Sequence, residues 1–273
     1  MKYLLLFLIS LFFISCSSNI PTPKERKETA LILAKQNNFQ QLNIETSSFL
    51  IFSLQKKDIS CQNKNLHVYI EGDGLSWINR KTISSDPTPI NSTILKIINE
   101  DENECKIYLA RPCQYINSNI CEKKYWTSHR FSPEVLKSFD ESLNILKNRY
   151  KNKDFTLIGH SGGGAIVALL SAQRDDIKRF ITIAGNLDIE KWTTFHNISK
   201  LTGSLNPADF TKSLENIEQY HLIGNNDKII TKDIFLSYYS KFNNKDKISF
   251  NYVDESHNCC WEKPYKKLIL LLK

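Results

Sequence analysis

The stretch "LIGHSGGGAIVALL", residues 157–170, joins one apolar run to another through a serine set among glycines. "FTLIGH" at 155–160 reads as a buried strand, and "GAIVALLSAQ" at 164–173 as a helix that starts almost directly after the serine. Between them Gly159-His160-Ser161-Gly162-Gly163 fits G-x-S-x-G, the pattern in which a sharp strand-to-helix turn lifts a serine hydroxyl clear of the sheet. Small residues on either side are a steric requirement of that turn, and glycine tolerates its unusual backbone angles. The phosphate-cradling alternatives fail on sequence. A P-loop needs Lys and then Ser or Thr after Gly164, where Ala165 and Ile166 stand, and G-x-G-x-x-G breaks at Val167.

A serine hydroxyl is a weak nucleophile at neutral pH and needs a base that is itself oriented by a carboxylate. On a strand-turn-helix elbow the partners follow the serine in the order acid, then histidine. His257, in "VDESHNCCW" just past the last expected strand, best fits the base, with His196 as runner-up. His67 and His129 precede the serine, His160 adjoins it and is expected to point away, and His221 falls inside a strand. Asp227, three residues past the strand ending at Gly224, is the preferred acid, and Asp188, placed similarly after the preceding strand, is the alternative. An oxyanion site needs two backbone N–H donors. Gly162 supplies one by position, and "YIEGDGLSW" offers the other at Asp73, with Gly74 next.

The surrounding pattern alternates short β-prone runs with helical ones, which predicts an α/β fold with a mostly parallel sheet covered by helices on both faces. Strands are expected at 49–55, 66–72, 106–112, 155–160, 179–185, 219–224 and 248–253. The clearest helix starts after Ser132, a candidate N-cap followed by Pro133 and Glu134, and buries Val135, Leu136, Phe139, Leu143 and Leu146. "WEKPYKKLILLLK" reads as a closing helix. The segment 186–218 is too long for a simple connection and is expected to form a small cap. "RPCQYINSNICEKKYWTSHRF", 111–131, is read either as a pocket wall or as a supporting surface loop.

A chain of 273 residues with 41% hydrophobic content suits one sizeable domain. The net charge of +7 comes from dispersed lysines without any run of five like charges, so a solvated basic surface compatible with anionic headgroups is expected, and no nucleic-acid partner. The N-terminus, "MKYLLLFLISLFFISCSS", has one early lysine, an apolar run over 3–14 and a small-residue exit, the layout of a secretory signal. That run is shorter than the roughly 20 residues a spanning helix needs. "FISC" resembles the lipobox of bacterial lipoproteins, which implies cleavage after residue 15, acylation of Cys16 and a tethered protein facing the periplasm or exterior of a bacterial envelope. Residues 16–29 are then read as a flexible tether and 30–273 as the domain, expected to be monomeric.

Export makes disulfides plausible for the six cysteines that remain. The local pair Cys113–Cys121 is preferred and Cys61–Cys105 is the second pairing, which leaves one of Cys259 and Cys260 a candidate free thiol. No CxxC pair occurs, and no metal site is expected.

With these residues assembled, the chain resembles the α/β-hydrolase superfamily. "HVYIEGDGLSW", "LARPCQY", "WTSHRFSPEVL", "GHSGGGAIVALL" and "IAGNLDIEKW" are similar to segments of small bacterial envelope hydrolases. The resemblance implies a Ser161–His257–Asp227 triad, no obligatory cofactor, and cleavage of an ester or related acyl bond in a small-molecule or lipid-like substrate. One departure is Glu71, which stands where many members have a histidine before the oxyanion glycine. The alternatives are acyl transfer, amide cleavage, and a non-catalytic lipoprotein that keeps the scaffold as a binding module.

Overall fold

The computed structural model describes residues 20–116 and 118–272; the expected signal sequence and Cys16 lie outside the described residues. Eight strands form the central sheet: β1 (Phe39–Gln41), β2 (Ser53–Lys56), β3 (Asn65–Ile70), β4 (Lys106–Leu109), β5 (Asp154–His160), β6 (Ile177–Ile183), β7 (Glu218–Gly224) and β8 (Ile248–Val253). Their order across the sheet is β1-β2-β4-β3-β5-β6-β7-β8. β2 runs antiparallel to both β1 and β4, and every other neighbouring pair is parallel.

Side chains of the inner strands alternate between two cores, as the two-residue period of a strand requires. Leu66, Val68, Ile70, Phe155 and Leu157 enter one core, which is closed by helices α3 (Pro133–Tyr150), α4 (Gly162–Ser171) and α7 (Lys232–Ser240). Tyr69, Ile158, Ile181 and Ile183 enter the other, closed by α1 (Pro23–Gln36), α2 (Thr93–Ile97) and α8 (Glu262–Leu271). Parallel strands covered on both faces are apolar throughout, which is why "FTLIGH" shows no polar alternation. In α3, Ser132 accepts from the Val135 N–H, and the apolar stripe predicted from spacing is the buried one.

The segment 186–218 contains α5 (Ile189–Phe195), a 3₁₀ turn and the four-residue α6 (Thr211–Leu214). It packs over 128–131, where Ser204 bonds the Ser128 carbonyl and Leu205 N–H bonds the Phe131 carbonyl.

Three local expectations change. The single strand read over 49–55 is two: Leu50–Ile51 pairs with Ile44–Glu45 in a separate ribbon, and only β2 joins the sheet. β1 has no counterpart among the expected strands, because at the sheet edge it buries only Phe39. The flexible tether expected over 16–29 is helical from Pro23 onward. Thr22 and Glu25 form a reciprocal capping box, and Arg26 is buried, ion-paired with Asp86 at 3.5 Å and bonded to the Thr88 carbonyl. The ordered domain therefore includes 22–29.

The cysteines pair as Cys61–Cys105 and Cys113–Cys121, each with Cα atoms 5.6 Å apart. Cys259 and Cys260, between which a free thiol was expected, form a vicinal bridge instead.

Arg26→Met should lower the free energy of unfolding by about 2 kcal/mol, the cost of orphaning a partly exposed Asp86 and a buried carbonyl. Urea melts check this, and a residue in a loose tether would give no change.

Candidate active site

β5 ends at His160, and the chain turns on Ser161 into α4. Ser161 holds φ 53° and ψ −118°, a region that side chains rarely occupy, and its side chain makes no capping bond. The turn is possible because three neighbours lack a Cβ. A Cβ on Gly159 would lie 2.3 Å from the Gly163 carbonyl oxygen, one on Gly163 would lie 2.4 Å from that of Ile70, and one on Gly164 would lie 2.7 Å from the Gly185 Cα. Main-chain bonds hold it from both sides: Ser161 N–H donates to Ile183, and Ser161 C=O accepts from Gly164 and Asn186.

The structure brings Ser161, His257 and Asp227 into one hydrogen-bonded line. His257 Nε2 lies 3.0 Å from Ser161 Oγ, and Nδ1 lies 2.8 Å from Asp227 Oδ2. With Nδ1–H donating to the carboxylate, Nε2 keeps a lone pair toward the serine hydroxyl and can take its proton. Asp227 follows β7, and its other oxygen accepts from Ile229 and Ile230 N–H, which fixes the carboxylate's plane. The loops after β7 and β8 are joined through Asn225 and Asn226 to 253–255. Gly224 permits this, since a Cβ there would lie 2.4 Å from the Glu255 carbonyl oxygen.

Asp188, the alternative acid, is elsewhere. It caps α5 through Lys191 N–H and ties α5 to α7 through Ser237 Oγ at 2.7 Å and Lys241 Nζ at 3.4 Å. His196, the runner-up base, bonds the Ile229 carbonyl.

The loop after β3 lies against the elbow, where a Cβ on Gly72 would be 3.6 Å from the Ser161 Cβ. Asp73 N–H has no acceptor among the described residues, and Gly162 N–H, at the first position of α4, has none within the helix. Gly74 serves the turn, with φ 63° and the Pro87 carbonyl oxygen 2.0 Å from where a Cβ would stand. Glu71, in the position of the usual histidine, is a buried bracket: its carboxylate accepts from Gly72 N–H, Ser92 Oγ and Tyr108 OH, while burial raises its pKa despite these donors. Gln114 Nε2 donates to the Gly72 carbonyl. The Asp73 carboxylate packs so closely on α4 that a Cβ on Gly162 would be 2.1 Å from it. Burial alone would raise its pKa, but Arg130 at 2.7 Å and Arg111 at 3.0 Å outweigh that and hold it below the ordinary value. For Arg111 burial dominates, and its pKa falls to about 10. Arg111, Gln114 and Arg130 thus brace the loop that carries Asp73.

Sequence reasoning missed these braces and two more behind the histidine. His160 Nε2–H and Trp261 Nε1–H both donate to the His257 carbonyl, at 2.8 and 3.1 Å. Burial and the nearby His257 lower the His160 pKa to about 3, so the ring is neutral. A polar residue directly before an elbow serine, in an otherwise apolar strand, is the signal that could have found it.

A family model described as alpha/beta hydrolase fold matches residues 122–223. The chain has the α/β-hydrolase fold. An esterase from Pyrococcus furiosus superposes with a TM-score of 0.62 at 14% identity, over 92% of this chain and 93% of that one. An alpha-beta serine hydrolase homologue from Coxiella burnetii gives 0.57 at 11% identity over 85% and 95%. The acylaminoacyl peptidase of Pyrococcus horikoshii gives 0.60 at 13% over 89% of this chain and 43% of its own. No curated protein matches the sequence significantly. The α/β-hydrolase strand order puts the ends of β5, β7 and β8 at one edge of the sheet, where Ser161, Asp227 and His257 meet.

Buried His160 and His221 both fall to about 3. Histidine NMR titration should show these two rings unchanged between about pH 8 and about pH 5. Their folded values lie below the free 6.5, so the unfolded chain takes up protons first. Their contribution to stability is intact above 6.5 and is lost as pH falls toward about 3.

Proposed function

We propose that the protein is a serine hydrolase that cleaves an ester or related acyl bond through an acyl-enzyme. The observation that carries this reading is the hydrogen-bonded line from Ser161 Oγ through His257 to Asp227.

Ser161 Oγ attacks the substrate carbonyl carbon while His257 Nε2 takes its proton, and Asp227 stabilises the imidazolium. The carbonyl oxygen becomes an oxyanion bonded by the N–H groups of Asp73 and Gly162. Collapse expels the alcohol, protonated by His257, and leaves the acyl group on Ser161. Water, deprotonated by His257, then attacks the acyl carbon, releasing the acid and restoring Ser161.

The solved structures named as an esterase, a serine hydrolase homologue and a peptidase support acyl chemistry in general. The N-terminal sequence supports attachment at Cys16 to a membrane of a bacterial cell envelope, with the domain facing the periplasm or exterior. A small-molecule or lipid-like ester is the substrate class that fits such a position.

A fluorophosphonate probe should label the wild type and not Ser161→Ala, and a folded wild-type protein that resists the probe would overturn the reading. On a short-chain aryl ester, Asp227→Asn should lower kcat by about 10³–10⁴-fold by losing the productive tautomer. Asp188→Ala should leave kcat within a few-fold and instead lower stability by about 1 kcal/mol, the worth of a helix cap.

A further inference from the structure

The loop that carries Asp73 continues directly into a two-stranded ribbon, Trp77–Asn79 with Thr82–Ile83, whose strands pair only with each other among the described residues. Its turn is Arg80-Lys81, and Trp77 and Ile78 lie on the strand that leads to it, Trp77 paired with Ile83. Trp77 and Ile78 are 42% and 43% exposed, and neither packs in the two cores. Arg80 and Lys81 are exposed and enter no ion pair among the described residues. From Gly74 through Ser85 there is no acidic residue.

The base of this ribbon is tied to the start of α1. Ser84 N–H bonds the Ser76 carbonyl, Ser84 Oγ bonds the Asp86 carbonyl, and Leu75 N–H bonds the Pro87 carbonyl. Arg26, one turn into α1, grips the same segment through Asp86 and Thr88. The chain therefore enters the domain beside the ribbon, and Ile20, 39% exposed, adds a further apolar side chain just ahead of the helix. The stretch from Cys16 to Pro23 spans at most about 25 Å when fully extended. A lipid on Cys16 would hold this face, and not the far side of the sheet, against the bilayer.

We propose that the Trp77–Lys81 hairpin docks on an anionic phospholipid surface, with Trp77 and Ile78 at the headgroup boundary and Arg80 and Lys81 on the lipid phosphates. This deepens, and rests on, the membrane attachment proposed above. The occupant follows from composition. Two cations without an ion pair among the described residues, beside an exposed tryptophan and isoleucine, match an anionic interface in both charge and polarity, and the flanking acids Asp73 and Asp86 are already paired with arginines. Docking brings the loop that carries Asp73, three residues before Trp77 at its nearest glycine, close to the membrane.

The test uses the full-length protein reconstituted in vesicles with brominated acyl chains, made of phosphatidylcholine with or without phosphatidylglycerol. Of the four tryptophans, Trp126 and Trp261 are buried and Trp192 is partly exposed, so all samples carry Trp192→Phe and Trp77 should dominate the quenchable tryptophan fluorescence. Quenching should grow about twofold or more when phosphatidylglycerol is present, since each basic residue near the surface adds to the attraction. Trp77→Phe should remove the quenched component, and Arg80→Gln with Lys81→Gln should remove its dependence on phosphatidylglycerol. Quenching that survives Trp77→Phe, or that is the same on neutral and anionic vesicles, overturns the proposal. Fluorophosphonate labelling of the same samples keeps the two readings apart. Labelling without Trp77 quenching overturns docking alone, and quenching without labelling overturns the hydrolase reading alone.

Discussion

The site depends on a backbone that cannot relax. A serine at φ 53° carries strain of about 1–3 kcal/mol, and it stays there because its surroundings leave no alternative. Strand β5 lies between β3 and β6 in the middle of the sheet, and all ten residues of α4 are buried. Bonds to Ile183, Gly164 and Asn186 hold both peptide groups flanking Ser161. Elaborate packing is thus concentrated where a single hydroxyl must stand clear of it, and other parts of the fold can be read as what keeps that junction closed.

This explains what was legible in the sequence. The strand-glycine-serine-helix pattern is a local requirement, visible in any one chain because only glycine satisfies it. The apolar strands and the stripe of α3 are equally local, for burial on both faces or one face leaves a period. The order of acid and base after the serine depends on topology, and a fold recognised from its centre carries that order with it. Asp227 and His257 follow strand ends, so the strand pattern was enough to suggest them.

What stayed hidden lies in contacts between distant loops. Nothing local says that Arg111 and Arg130 converge on Asp73, that Gln114 holds Gly72, or that His160 and Trp261 share the His257 carbonyl. Each is a polar side chain in a loop or strand end, where solvent exposure is the ordinary fate, and only the folded loop path buries it. Glu71 is the instructive case. Read as a departure, it looked like a defect in the oxyanion loop, yet Ser92 and Tyr108 make it the loop's inner fastening. The capping box at Thr22 was hidden for another reason: prolines and charges suit a tether and a helix start alike, and Arg26 burying itself against Asp86 decides between them.

The bonds to the His257 carbonyl also set when the site comes into being. Its donors sit on the elbow strand and at the start of α8, and its acid is fastened to the loop after β8. While the chain is being synthesised, the serine elbow can form as soon as β3, β5 and β6 associate, but the base has no fixed place until the final strand and helix have packed. A nascent or truncated chain would present a serine without its proton acceptor. On the hydrolase reading, Ser161 would stay without its base until those last elements of the chain had packed.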